Sequence, residues 1–133
     1  MKIAIVGNKE FGNRQLVSEL IGQIRTVDSK ILTTAMPGPC TWAFEEAKLT
    51  GYQHKIFNIP KGPHDADVFK MHCNERNQKL VDEADLIVCF LDKWCSNTYH
   101  LIDLAMRAQK MVYLVPDLPL HKLEALFEVI TNE

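Results

Sequence analysis

Six apolar residues in a row, Leu86–Leu91 (LIVCFL), constrain this chain more than any other stretch. A run of that length without alternation describes a strand buried on both faces, as in a parallel sheet covered by helices. Asp92 ends the run. Ser96, Asn97 and Thr98 then stand where a helix begins, because short polar side chains accept hydrogen bonds from the unpartnered N–H groups of a first turn. Leu101, Ile102, Leu104 and Ala105 follow at helical spacing. Those N–H groups carry partial positive charge, so strand, polar turn and helix start together offer a place for a polar or anionic ligand. The same residues also fit a capped helix after a core strand and nothing more.

The rest of the chain repeats this alternation. Lys2–Val6 is a short apolar strand ending at Gly7-Asn8, and Phe11-Gly12-Asn13 leads into a helix with Leu16, Val17, Leu20, Ile21 and Ile24 on one face. Ile31–Thr34 is a second strand, followed by a rigid loop in which Pro37 and Pro39 bracket Gly38. A helix is expected from about Thr41 to a stop at Gly51. His54–Ile59 reads as a third strand. Pro60–Lys70, with two prolines, a glycine and alternating charges, reads as a long loop able to cover a site. A helix from about His72 to Glu83 places Arg76 and Asn77 near its start. Met111–Val115 is a fifth strand, and Leu120–Thr131 a last helix. Strand and helix thus alternate five times, which predicts an α/β, Rossmann-like three-layer sandwich: a five-stranded parallel sheet with helices on both faces. Ligands in such sheets sit beyond the carboxyl ends of the strands, where the winding direction reverses. Gly7-Asn8, the Met36–Cys40 loop and Asp92–Thr98 are expected to converge there.

Composition narrows the function classes. The 133 residues suit one domain, and 15 basic against 17 acidic residues leave no general field for nucleic acid or an anionic membrane. No apolar run approaches the roughly 20 residues needed to span a bilayer, and no leader pattern opens the chain, so a cytoplasmic protein is expected. The cysteines at 40, 73, 89 and 95 form no C-x-x-C pair and suit reduced thiols. His64, His72 and Cys73 lack a second close-spaced ligand pair, so neither metal nor cofactor is expected. The glycines do not spell G-x-G-x-x-G, and Gly7 is read most simply as a position that cannot carry a Cβ. Glu45 and Glu46 lie near a helix start, where acids commonly complement the dipole at the surface. Arg76, in a presumed first turn, runs against that preference, which has a use if the guanidinium binds an anion.

Four segments resemble the Rossmann-like SLOG superfamily, and within it the small YspA/YpsA-related group of bacteria and phages: KIAIVGNKEFGN, TAMPGPCTWAFEEA, ERNQKLVDEADLIVCFLD and SNTYHLIDLAMRAQKMVYLV. The family's Arg-Asn pair falls on Arg76-Asn77, its Ala-Asp before the central strand on Ala84-Asp85, and its helix-start threonine on Thr98. Two departures stand out. Of the paired glycines and acidic residue usual in the second loop, Gly38 remains, with Cys40 near the acidic position. The family's Gly-Gly-Thr has become Ser96-Asn97-Thr98. More distantly, LOG-type enzymes release a base from a nucleoside monophosphate through a Pro-Gly-Gly-x-Gly-Thr-x-x-Glu segment. Pro37-Gly38 and Glu45 echo that segment with different spacing.

The resemblance implies binding of a nucleotide or a nucleotide-derived ligand, of ADP-ribose or cyclic type, by a sensor or sequestering protein that works in a host cytoplasm if it is phage-encoded. Gly7, Asn8, Gly38, Arg76, Asn77, Asp92, Ser96, Asn97 and Thr98 are then the expected ligand contacts, with Phe11 or Trp94 stacking on a base. A second hypothesis is an enzyme acting at an N-glycosidic bond, with Asp92 or Glu45 as the catalytic carboxylate. A third is an interaction domain with a degenerate pocket, the last helix and the Trp42/Phe44 region forming a partner or dimer surface. A homodimer or larger homo-oligomer is expected, with no nucleic acid or membrane partner.

Overall fold

In a computed structural model, residues 1–24, 29–91 and 96–116 are described, without the side chains of Ser96, Asn97 and Pro116. Lys2–Gly7 forms β1 and Arg14–Gln23 forms α1; Lys30–Thr34 is β2 and Pro39–Thr50 is α2. Gln53–Phe57 is β3, Ala66–Glu83 is α3, Leu86–Leu91 is β4, Ser96–Arg107 is α4 and Met111–Pro116 is β5. The last helix read from the sequence lies outside the described residues.

Most boundaries fall within two or three residues of the sequence reading, and local chemistry sets them. Pro39 opens α2, where a missing N–H costs nothing, and Gly51 closes it in the left-handed conformation (φ 79°), with its N–H bonded to the Ala47 carbonyl. The exception is α3. The stretch assigned to a loop up to Lys70 is helical from Ala66, because the Asp65 side chain caps it, accepting from the Val68 N–H at 2.8 Å. Arg76 therefore lies three turns inside an 18-residue helix, and no macrodipole penalty applies to it.

All five strands are parallel, in the order β3-β2-β1-β4-β5. β1 and β4 lie side by side, with Ile3 opposite Leu86 and Gly7 opposite Phe90. The chain winds outward from β1 through β2 to β3, crosses the sheet with α3, and winds the other way through β4 to β5. The β1–β4 seam is thus the switch point. β4 is buried on both faces. Leu86, Val88 and Phe90 join Ile3 and Ile5 in packing against α1 and α2, through Leu16, Leu20, Ile21, Ala43 and Ala47. Ile87 and Cys89 join Ala4 and Val6 in packing against α3 and α4, through Leu80, Val81, Leu101, Ile102 and Ala105. Each fully buried aliphatic side chain contributes about 1.5–3 kcal/mol. This double-sided packing pins the carboxyl ends of β1, β2 and β4 to one rim.

Candidate functional site

At that rim the loops after β1 and β2 meet each other and the end of β4 in close contact. Gly7 ends β1 with no room for a side chain: an added Cβ would collide with the Phe90 carbonyl oxygen and lie 2.8 Å from Pro39 Cγ. Asn8 is buried and donates its N–H to the same Phe90 oxygen at 3.3 Å. From the β2 side, Gly38 adopts φ 91°, which lets the chain pass over Asn8 and Lys9; an added Cβ would stand 3.1 Å from Lys9 Cα. The turn into α2 is tied locally. Met36 N–H donates to Thr34 Oγ1 (3.3 Å), Thr41 Oγ1 donates to the Met36 carbonyl (2.9 Å), and Thr34 Oγ1 donates to Cys40 Sγ (3.2 Å).

Cys40 sits at the centre of this arrangement. Burial pushes its thiol pKa up, partly offset by hydrogen bonds from Thr34 and the Gly7 backbone and by the Arg76 charge. Val6, Gly7, Thr34, Met36, Cys40, Thr98 and Leu101 enclose a slit of about 10 Å³. Such a space holds at most one water. The ligand-sized space lies on the other side of Met36. It is a half-open groove of about 530 Å³ lined by Met36, Phe69, Lys70, Cys73, Asn74, Arg76 and His100, a volume within the usual small-molecule range. Its walls are mostly apolar. It has two cations and, among the described residues, no acid.

Beneath the groove α3 and α4 are joined by side chains. Arg76 is only 6% exposed, and its Nε and Nη2 donate to Asn77 Oδ1 at 3.4 and 3.3 Å. The fully buried Asn77 then presents Nδ2 to His100 Nδ1 at 3.2 Å. An amide nitrogen can only donate, so His100 Nδ1 accepts and the ring proton sits on Nε2. Arg76 also lines a second hollow, of about 390 Å³, on the β3 side of α3.

Gly7 and Thr98 therefore share one slit, Gly38 closes over Asn8, and the Arg76 field reaches Cys40 in the slit wall. Arg76 and Asn77 belong to the adjoining groove. Two expectations are corrected. Phe11 cannot stack on a base: the turn from the Asn8 carbonyl to the Phe11 N–H (3.1 Å) folds its ring into the core, where it is 1% exposed and packs edge-on against Phe90 at 5.3 Å. Glu45 lines neither the slit nor the groove and pairs instead with Arg14 of α1 at 2.8 Å; Glu46 approaches the same guanidinium at 3.5 Å. Asp92 and Trp94 lie outside the described residues. Ser96 and Asn97 open α4, as expected, and their side chains lie outside the description.

Sequence reasoning placed the Met36–Cys40 loop at the rim and Arg76 among the ligand contacts; it missed His100 and the α3 contributors that precede Arg76. The signal for the last was present: with Asp65 taken as a cap, Phe69, Cys73 and Arg76 fall at i, i+4 and i+7 on one helical face.

No family model matches the sequence, and no curated protein sequence matches it. Among solved structures, the fold is similar to that of DNA processing protein A (DprA) from Streptococcus pneumoniae, with a TM-score of 0.72 and 16% identity over 98% of this chain. The fold is Rossmann-like. The chain spans 56% of the DprA chain in that structure, little more than half its length. A weaker likeness, with a TM-score of 0.44 and 16% identity over 100% of this chain and 76% of the other, is to a predicted subunit of tRNA methyltransferase from Methanocaldococcus jannaschii. The likeness to DprA bears on the fold alone and reaches neither the SLOG superfamily nor its YspA/YpsA-related group. No helix among the described residues is long and apolar enough to cross a membrane.

Proposed function

We propose that this chain is a SLOG-type binding module for a nucleotide or nucleotide-derived ligand, of ADP-ribose or cyclic type, acting as a sensor or sequestering protein. One observation carries the reading: Arg76, nine-tenths buried, stands in the wall of a ligand-sized groove beside the carboxyl rim of the sheet. A guanidinium in such a setting meets a phosphate through charge-assisted hydrogen bonds, with little screening by water. Lys70 adds a second positive charge in the same wall. The slit beside Thr98 is too small for a phosphate, so the ligand lies in the groove, with Met36 between it and Thr98. Glu45, one of the carboxylates named for the N-glycosidic alternative, lines neither the groove nor the slit.

Thermal-shift and calorimetric titration with AMP, ADP-ribose and cyclic nucleotides test the proposal. A ligand present at 100 times its Kd raises stability by about 2.7 kcal/mol, well within reach of a melting experiment. Arg76→Ala is expected to weaken binding by about 2–5 kcal/mol, the range for one member of a buried charged contact. Flat melting curves across the whole panel would overturn the reading.

A further inference from the structure

The groove has a division of labour that goes further than the anion contact and rests on the reading above. Its apolar part is built by Met36, from the loop before α2, and by Phe69 and Cys73, one turn apart on α3. Phe69 is 49% exposed, an unusual position for a phenyl ring that is not part of the core. Its polar part is built by the Arg76 guanidinium, the Lys70 ammonium, His100 and the Asn74 amide, the last both donor and acceptor. His100 belongs with them because Asn77 occupies Nδ1, and Asn77 cannot be turned round. Arg76, which has only donors, holds Oδ1 on its own side. The ring edge left for the groove is therefore Nε2–H. A mostly apolar trough with two cations, a histidine and an amide, and no acid in its described lining, selects an amphipathic anion with a flat body.

We infer that the ligand is a base-bearing nucleoside phosphate, its base lying on Phe69 against Met36 and its phosphate taken by Arg76 and by His100 through Nε2–H. Phe69 is thus the stacking residue that Phe11 was expected to be. His100 is a ligand contact oriented by Asn77. A sugar phosphate without a base fills only the polar end.

Calorimetry with AMP, ADP-ribose and ribose 5-phosphate on the whole chain tests this. AMP is expected to bind at least about ten-fold more tightly than ribose 5-phosphate, the lower part of the range for base–aromatic stacking. Phe69→Ala should remove most of that advantage while leaving ribose 5-phosphate unchanged, and Phe69→Trp should keep it. His100→Gln, whose amide can still donate, should hold AMP within about three-fold, whereas His100→Ala should lose about ten-fold, as expected for a hydrogen bond to a charged group. Melting curves show that each variant is folded. Equal affinity for AMP and ribose 5-phosphate, both lost in Arg76→Ala, would overturn the base platform and leave the anion site standing. Equal losses in the two His100 variants would overturn the donor assignment. No binding of any of the three probes would overturn this inference together with the functional reading beneath it.

Discussion

The Asn77 side-chain amide faces two ways, accepting from the Arg76 guanidinium and approaching His100 Nδ1 at 3.2 Å, and so couples α3 to α4 under the groove. Asn77 is completely buried. Replacing it with alanine removes the acceptor from Arg76 and the donor from His100 in one step. Asn77→Ala is expected to lower unfolding free energy by about 1–3 kcal/mol, the loss of two hydrogen-bonded contacts at about 0.5–1.5 kcal/mol each. Urea denaturation, read as a shift in midpoint at unchanged slope, checks it.

Gly7 is expected to tolerate no substitution. Overpacking of a well-filled site typically costs about 1–3 kcal/mol, occasionally more. Gly7→Ala belongs at or above the top of that range, because the nearest obstacle is the Phe90 backbone carbonyl, with Pro39 behind it. Combining Gly7→Ala with Pro39→Ala should recover only a small part of the loss, since the carbonyl stays where it is. Thermal melts of the single and double variants decide the point.

Phe11 and Phe69 should behave in opposite ways. Phe11→Ala empties a core site against Phe90 and is expected to cost about 3–5 kcal/mol. Phe69→Ala, at a half-exposed position, should stay within about 0.5 kcal/mol of the parent. Chemical denaturation of the two variants side by side gives the comparison.

Glu83 gathers three lysines at the foot of the sheet: Lys55 at 3.0 Å, Lys30 at 3.6 Å and Lys2 at 3.7 Å. The Lys55 hydrogen bond, with the charges of all three, holds its carboxyl below the usual value of 4.5. The unfolded chain therefore takes up this proton before the folded one does. The stabilisation is present in full above the ordinary carboxylate pKa and is lost as pH falls through the lower folded value. Glu83→Gln is expected to cost roughly 1 kcal/mol at pH 7, the upper end for surface ion pairs, because it also leaves three lysines facing one another. The gap between variant and parent should begin to narrow near the ordinary glutamate pKa of about 4.3 and go on closing in melts at lower pH.

Periodicity and punctuation carried most of the architecture. The unbroken LIVCFL run required a doubly covered strand, and the strand–helix alternation required a parallel sheet, in which β1 and β4 lie together. Gly7 is likewise the close-packed position its simplest reading described. The misreadings have specific causes. Pro60, Gly62 and Pro63 are strong breakers, and their weight hid the Asp65 cap just beyond them. Phe11 follows a rim loop in sequence, yet a single turn sends it back into the core, and no periodic pattern marks a turn of that kind. Glu45 was drawn to the site by its nearness to Gly38, while Arg14, 31 positions earlier, holds it elsewhere. His100 acquires its meaning only from Asn77, which lies 23 positions away on another helix.

The seam between β1 and β4 also bears on how the molecule is made. The Lys2 N–H reaches an Asp85 carboxylate oxygen at 2.8 Å across 83 positions of sequence, and Ile3 to Gly7 find their second set of strand partners only from Leu86 onward. Contacts that distant form late, since a long loop must close before they give anything in return. As synthesis proceeds from the first residue, the central strand of the sheet waits with one flank open until about two thirds of the chain has emerged. Until then that bare apolar edge is the part of the nascent chain most open to aggregation.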